Sequence, residues 1–188
     1  SDQHTMTELL EIQRAAFLRD GIPDAKTRID RIARLAALLL DHSDEIAQAL
    51  TADFGSRPRE LSLMADIAGC MLDLAHQRRS VAKWMKETKT SKVMGVAGFK
   101  QSIRHEPLGV VGIIAPWNYP LQLTLAPAVA AIAAGNRVMI KPSELVPRFS
   151  ALLQKLIAEK FDETELTVTG IDGDISERFA ALPFDHLI

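Results

Sequence analysis

The stretch that decides the fold reads Val110-Val111-Gly112-Ile113-Ile114-Ala115-Pro116-Trp117-Asn118-Tyr119-Pro120. Its first five residues form a continuous apolar run, which is typical of a strand covered on both faces in a parallel sheet. Two prolines stiffen the loop that follows and hold an amide side chain next to a large aromatic ring. Because open parallel sheets bind ligands beyond the carboxyl ends of their strands, this loop is a candidate site.

Downstream of this stretch, segments with helix and strand character alternate. The predicted elements are a helix over 121–134, a strand over 137–140, a helix over 147–160, a strand over 166–169, a helix over 175–182 and a strand from 185 onward. This βαβ rhythm indicates a doubly wound, Rossmann-like parallel sheet.

Upstream, apolar residues recur at three and four positions, which predicts helices over 7–20, 26–40, 43–53 and 60–88. In the second helix, Arg28, Arg31 and Arg34 are predicted to face solvent, because such a row is usually a solvated helix face and not an anion site. Around Phe99 to Glu106 the period changes to two, which predicts an exposed ribbon strand that pairs with another chain. The fold class is therefore α/β, a helical amino-terminal layer followed by an incomplete Rossmann-like parallel sheet.

Composition and charge exclude several classes of protein. Of 188 residues, 47% are hydrophobic and 24% are charged, as in ordinary soluble globular proteins. The net charge of −2 provides no basic field, so we expect no nucleic-acid partner and no membrane partner. There is no apolar run of roughly 18 residues and no signal-peptide pattern, and a single cysteine favours a reducing compartment, so we expect a cytoplasmic protein.

Neither the histidines nor the cysteine indicates a reactive or metal-binding centre. The five histidines are widely dispersed, so no metal site is expected. Cys70 lies within an apolar helical stripe with no cation nearby, which predicts a small core residue and not a nucleophile.

Asn118 is the first candidate site residue. Its side-chain NH₂ group, fixed in a stiff loop at a strand end, can donate a hydrogen bond to an oxygen that develops negative charge. The alternative is that Asn118 caps the helix that follows, and the residues alone leave these two interpretations equal.

The second candidate is Lys141-Pro142-Ser143-Glu144, directly after the next strand. A carboxylate there can accept hydrogen bonds from ribose hydroxyls and repels a 2′-phosphate, which favours NAD over NADP. The alternative is a surface ion pair at a helix entrance. Neither GxGxxG nor GxxxxGK[ST] occurs in the sequence. After the third strand, Gly170 either allows close approach to a ligand or serves only as a turn glycine.

Two segments together resemble the aldehyde dehydrogenase superfamily. One is Glu106-Pro107-Leu108-Gly109 continued by the stretch quoted above, and the other is Ala133-Ala134-Gly135-Asn136-Arg137-Val138-Met139-Ile140-Lys141-Pro142-Ser143-Glu144. The similarity extends over essentially the whole chain. Shorter motifs resemble the coniferyl aldehyde dehydrogenase branch, close to the class 3 enzymes: Ala52-Asp53-Phe54-Gly55, Arg78-Arg79 and Leu182-Pro183-Phe184-Asp185-His186-Leu187-Ile188.

The resemblance implies NAD(P)-linked oxidation of an aldehyde to a carboxylic acid through a cysteine thiohemiacetal and a thioester. It implies that Asn118 is the oxyanion donor. It further implies a cofactor site formed by backbone and side chains of Ile114, Ala115, Pro116, Trp117, Lys141, Ser143, Glu144 and Gly170, with NAD as cofactor and NADP still open.

The resemblance also implies how the chain is divided. Residues 1–94 would be the helical part of the cofactor-binding domain, 95–108 an oligomerisation ribbon and 109–188 a truncated NAD-binding core, with the catalytic domain absent. The nucleophilic cysteine and general-base glutamate are expected downstream of Ile188. We therefore expect the parent protein to be a homo-oligomeric enzyme, dimer or tetramer, acting on an aromatic aldehyde, and this 188-residue chain itself to be inactive. The alternative is a non-catalytic nucleotide-binding or oligomerisation module.

Overall fold

The computed structural model describes residues 5–89, 101–171 and 175–188. Its helical segments, in chain order, are α1 (Met6–Asp20), α2 (Ala25–Asp41), α3 (Ser43–Phe54), α4 (Arg59–Leu61), a π-helical segment (Ser62–Ala68), α5 (Gly69–Trp84), α6 (Gln122–Ala134), α7 (Pro147–Lys160) and α8 (Ile175–Ala180). Its strands are β1 (Thr88–Lys89), β2 (Ser102–Ile103), β3 (Val110–Ile114), β4 (Arg137–Lys141), β5 (Leu166–Val168) and β6 (His186–Leu187).

A four-stranded parallel sheet has the spatial order β5-β4-β3-β6. In the central strand β3, Val111 pairs with Val138 on one side and with His186 on the other. A helix lies between each strand and the next, as parallel neighbours require. The predicted α/β class, a helical amino-terminal layer followed by a Rossmann-like parallel sheet, is confirmed.

The central strands β3 and β4 carry apolar side chains toward both faces of the sheet. Val111 and Ile113 contribute to the main core, which also contains residues of α2, α3, α5, α6 and α7. On the alternate positions, Val110 and Met139 join a second cluster with Phe179 of α8 and residues of α1. Successive side chains of a strand point to opposite faces, so the interior of each central strand is apolar on both, whereas β4 begins with Arg137 and ends with Lys141.

The predicted solvent exposure of the arginine row is wrong for two of its three members. Arg28 and Arg31 are only 3% and 5% exposed. Arg28 Nη1 donates to the carbonyl oxygen of Ala133 at the end of α6, and its Nε donates to the carbonyl oxygen of Pro23, both at 2.9 Å. Helix ends leave carbonyl groups without partners, so a buried guanidinium there satisfies a polar atom that water cannot reach.

Arg31 and Arg34 share one carboxylate acceptor. The Nε atom of Arg31 lies 2.9 Å from Glu165 Oε1, and Arg34 Nη1 lies 2.8 Å from Glu165 Oε2. Burial raises the pKa of Glu165, but the hydrogen bonds from the two arginines outweigh it and leave that pKa below its usual value. Glu165 precedes β5, so this network fastens α2 to the sheet.

The predicted helix over 60–88 is interrupted and ends early. Its first part contains the π-helical segment, and α5 ends at Trp84, after which Thr88 begins β1. β1 pairs antiparallel with β2, where Ile103 is half exposed. Of the predicted ribbon strand Phe99 to Glu106, residues 101–106 are described, whereas residues 99 and 100 lie outside the described ranges.

Candidate functional site

The two segments singled out from the sequence leave the sheet at the same edge. β3 and β4 are parallel, with Ile114 opposite Lys141 at their carboxyl ends. The backbone N–H of Ala115 donates to the carbonyl oxygen of Lys141 at 2.9 Å. The loop after β3 and the turn after β4 therefore start side by side, where open parallel sheets bind ligands.

The loop over 115–121 presents exposed side chains on a fixed backbone. Trp117 and Tyr119 are 51% and 41% exposed, and Asn118 is also exposed. The carbonyl oxygen of Asn118 accepts a hydrogen bond from Arg57 Nη1 at 3.1 Å. The cap of α6 is Leu121, and no side chain of the cap residue bonds the first turn. Asn118 is thus not the residue that caps this helix, so that alternative is wrong.

The turn after β4 holds an ion pair with one buried and one exposed partner. The Lys141 side chain is 3% exposed, its ammonium group pairs with the carboxylate of Glu144, and the Glu144 side chain is 54% exposed. The hydrogen bond from Lys141 lowers the pKa of Glu144, so this carboxylate is charged at neutral pH. An exposed carboxylate beside a buried ammonium group has the donors and acceptors that fit two ribose hydroxyls.

Ser143 and Gly170 occupy different surroundings. Ser143 is buried, and its hydroxyl oxygen accepts a hydrogen bond from the Leu145 N–H at 3.2 Å, which stabilises the turn. Gly170 follows β5 and lines a cavity of about 830 Å³ together with residues of α1 and α7. A Cβ atom at Gly170 meets no atom within 4 Å in the described structure, so packing there does not require glycine. Asn118, Lys141 and Glu144 do not line this cavity.

Sequence reasoning missed a buried ion pair beneath the loop. Arg57 Nη2 contacts Asp66 Oδ2, and the two side chains are 7% and 0% exposed. One signal was present, since Asp66 is an acidic residue inside a stretch with apolar helical periodicity. Its partner Arg57 was not recognisable, because nothing in the local pattern joins the two positions.

Cys70 is a buried residue of α5, as the sequence predicts. Burial, with a smaller contribution from Asp66 and Asp73, raises the pKa of its thiol to about 12. A thiol with that pKa is neutral at physiological pH, so Cys70 is not a nucleophile.

This leads to a labelling prediction. In folded protein at mildly alkaline pH, iodoacetamide is expected to leave Cys70 unmodified, whereas unfolding restores an ordinary thiol pKa and permits alkylation. Mass spectrometry of the peptide that contains Cys70 measures this directly. Rapid alkylation of that peptide in folded protein would contradict the assignment of Cys70 to the core.

The described residues hold neither a metal-binding cluster nor a membrane-spanning helix. Among residues 5–89, 101–171 and 175–188, no three or more histidine, cysteine, aspartate or glutamate side chains are grouped so as to hold a metal ion. Within the same ranges, no helix has the length and apolarity needed to cross a membrane.

Comparison with known proteins extends over almost the whole chain. The model of the Aldehyde dehydrogenase family matches residues 2–183. A coniferyl aldehyde dehydrogenase of Pseudomonas sp. is 48% identical over 95% of this chain and 37% of that protein. A protein of Caulobacter vibrioides named "Probable coniferyl aldehyde dehydrogenase" is 44% identical over 100% of this chain and 40% of that protein. The chain therefore spans about two fifths of the length of these curated relatives.

Solved structures agree with the sequence comparison. The substrate-bound state of Staphylococcus aureus AldH superposes with a TM-score of 0.92 at 28% identity, covering 98% of this chain and 40% of that chain. The NAD+ complex of an aldehyde dehydrogenase from Bacillus cereus gives a TM-score of 0.73 at 28% identity, covering 88% of this chain and 33% of that chain.

Proposed function

The chain belongs to the aldehyde dehydrogenase family, and we propose that it is the NAD-binding portion of an enzyme that oxidises an aldehyde to its carboxylic acid. One observation carries the proposal: the parallel register of β3 and β4 brings Ile114 and the Asn118 loop next to Lys141 and Glu144. The identities of 44% and 48% with coniferyl aldehyde dehydrogenases support an aromatic aldehyde as substrate.

The strand-end residues fit a nicotinamide dinucleotide. Glu144 and Lys141 would hold the hydroxyls of the adenosine ribose, with Ser143 fixing the turn between them. Ile114, Ala115, Pro116 and Trp117 would line the cofactor along β3, and Gly170 would lie on the adenine side. When bound, the nicotinamide supplies a hydride acceptor. The charged carboxylate of Glu144 supports NAD over NADP, because it repels a 2′-phosphate.

Asn118 would act on the substrate oxygen. When a thiolate adds to the aldehyde carbon, the carbonyl oxygen gains negative charge, and the Asn118 amide N–H stabilises it. The amide is exposed on a loop whose backbone is held, so it needs little reorganisation during the reaction. Because Cys70 is buried and neutral, we assign the nucleophile to a residue outside this chain. The family resemblance supports the same assignment for the general-base glutamate.

We also propose a division of the chain into three parts, a homo-oligomeric state and a cytoplasmic location. Residues 1–94 form the helical part of the cofactor-binding domain, 95–108 the ribbon and 109–188 the NAD-binding core. The antiparallel pairing of β1 with β2, whose residues Ser102 and Ile103 are exposed, supports a role of the ribbon in a homo-oligomer. A single, buried cysteine supports a reducing, cytoplasmic location.

Aldehyde-dependent cofactor reduction by the full-length enzyme tests the function. Coniferaldehyde and a short aliphatic aldehyde are each supplied with NAD and with NADP, and reduced cofactor is followed by absorbance. We expect turnover, with coniferaldehyde and NAD as the better pair. Absence of turnover with every pair, in protein that binds NAD, would refute the proposed activity.

A substitution in the turn after β4 tests the cofactor site separately. Glu144→Gln is expected to weaken NAD binding by about tenfold, because a charged acceptor of a ribose hydroxyl is lost. NADP binding is expected to weaken less, because the repulsion of its 2′-phosphate is removed as well. Fluorescence titration measures both affinities. Glu159→Gln on α7, which removes an exposed partner of Lys155, is the matched control and should change neither.

A further inference from the structure

A buried ion pair lies directly below the loop that carries Asn118. Arg57 lies in the loop that follows α3, and its guanidinium group contacts the fully buried carboxylate of Asp66. The same guanidinium donates from Nη1 to the carbonyl oxygen of Asn118 at 3.1 Å. It also lies 5.3 Å from the ring centre of Tyr119, within the range of a cation–π contact. Arg57 thus contacts two consecutive residues of the loop.

Asp66 links this pair to the start of α6. Burial raises the pKa of Asp66, and Arg57 together with the nearby N–H groups of Gln122 and Leu121 offsets that rise only in part. Its Oδ1 atom has no hydrogen-bond partner in the described structure. A carboxylate at a helix N-terminus is stabilised by the helix dipole. The loop is therefore held at Asn118 by Arg57, and Asp66, which pairs with Arg57, lies beneath the loop exit near the first N–H groups of α6.

The π-helical segment is what places Asp66 there. Asp66 lies within Ser62–Ala68, where each turn contains an extra residue relative to an α-helix. Directly after it, a Cβ atom at Gly69 would lie 3.1 Å from Gln122 Nε2, so the segment packs closely against the first turn of α6. A buried charge pair costs desolvation energy, and replacing it by apolar residues is often stabilising. Stability alone therefore does not account for a pair at this position.

We infer that Arg57 and Asp66 are positioning residues that fix the backbone at Asn118 so that its amide is aimed at the substrate oxygen. The inference rests on the proposed role of Asn118 as oxyanion donor. Neither side chain touches the substrate, and both act through the loop. A displacement of the amide of about 1 Å is enough to lower a reaction rate by as much as about 100-fold.

A double-mutant cycle in the full-length enzyme tests this inference. The variants are Asp66→Asn, Asn118→Ala and the combination of both, and the readout is the single-turnover rate of cofactor reduction at saturating NAD. We expect Asp66→Asn to slow this rate by about tenfold while the affinity for NAD stays unchanged. We expect the combined variant to be no slower than Asn118→Ala, because residues that act through one group are not additive.

Glu165→Gln is the matched control. It disrupts another largely buried arginine–carboxylate contact, with Arg31 and Arg34, away from the loop. It is expected to lower the thermal midpoint and leave the single-turnover rate unchanged. If Asp66→Asn does not fold, Arg57→Gln combined with Asp66→Asn replaces it, because removing both charges leaves no unpaired buried charge.

The outcomes separate the inference from the function it rests on. Multiplicative effects of Asp66→Asn and Asn118→Ala, or an unchanged rate in Asp66→Asn, would overturn the positioning role and leave the function intact. An unchanged rate in Asn118→Ala would overturn the role of Asn118 itself, and the inference with it. If Glu165→Gln slowed the single-turnover rate as much as Asp66→Asn, the Arg57–Asp66 pair would contribute only to stability, and the positioning role would be overturned.

Discussion

Replacing Asn118 by alanine in the full-length enzyme is expected to lower the single-turnover rate of aldehyde oxidation by about 100- to 1,000-fold. The reason is the loss of a fixed donor to an oxygen that is charged only in the transition state. Interactions present only there change the chemical step and leave ground-state binding largely unaffected. NAD affinity is therefore expected to stay close to that of the unmodified enzyme.

Stopped-flow measurement of cofactor reduction gives this rate without interference from product release. Because the Asn118 side chain is exposed, its removal is not expected to shift the thermal midpoint. Gln48→Ala, which removes an exposed amide on α3, is the control and should leave the rate unchanged. A rate for Asn118→Ala within about threefold of the unmodified enzyme would show that the oxyanion is stabilised by other groups.

Gly135→Ala is expected to lower the free energy of unfolding by about 3 kcal/mol or more. Gly135 ends α6 with a φ of +96°, a conformation that costs other residues strain. Its Cβ would also lie 2.7 Å from Cζ of Arg28. The guanidinium would have to move, and the carbonyl oxygen of Ala133 would lose its buried donor.

Gly55→Ala separates the two contributions. Gly55 has a similar left-handed conformation, with φ of +73°, but its Cβ would meet no atom within 4 Å in the described structure. Only the backbone cost of about 1 kcal/mol is therefore expected there. Urea denaturation of both variants measures the difference. Equal midpoints would show that Arg28 adjusts without loss, contrary to the close packing described above.

Sequence reasoning succeeded where the signal is local. The helix over 147–160 was predicted with its observed bounds, because Pro147 occupies a first-turn position where its missing N–H costs nothing. β3 was recognised because burial on both faces gives a short continuous apolar run. β4, which begins and ends with a charged residue, was recognised from the alternation of strand and helix segments. The side-by-side position of the segments after β3 and β4 then follows, because the carboxyl ends of parallel strands lie at the same edge of a sheet.

Sequence reasoning failed where the partner of a residue is distant along the chain. From periodicity alone, Arg28 is predicted to be a solvated cation. Its acceptor lies 105 residues further along the chain, where periodicity gives no information. Arg57 meets the carbonyl oxygen of Asn118 across 61 residues, and no local pattern indicates that contact. The π-helical segment was missed for a related reason. Its extra residue allows packing against α6, and no helical propensity in the local sequence indicates it.

The arginines of α2 meet their acceptors late during synthesis. Arg28 leaves the ribosome 105 residues before its acceptor Ala133, a delay on the order of 10 seconds at common elongation rates. Glu165, which binds Arg31, follows later still. Until then these guanidinium groups have neither acceptor and remain hydrated. The polar contacts that fasten α2 to α6 and to the sheet can therefore form only after most of this chain has been made.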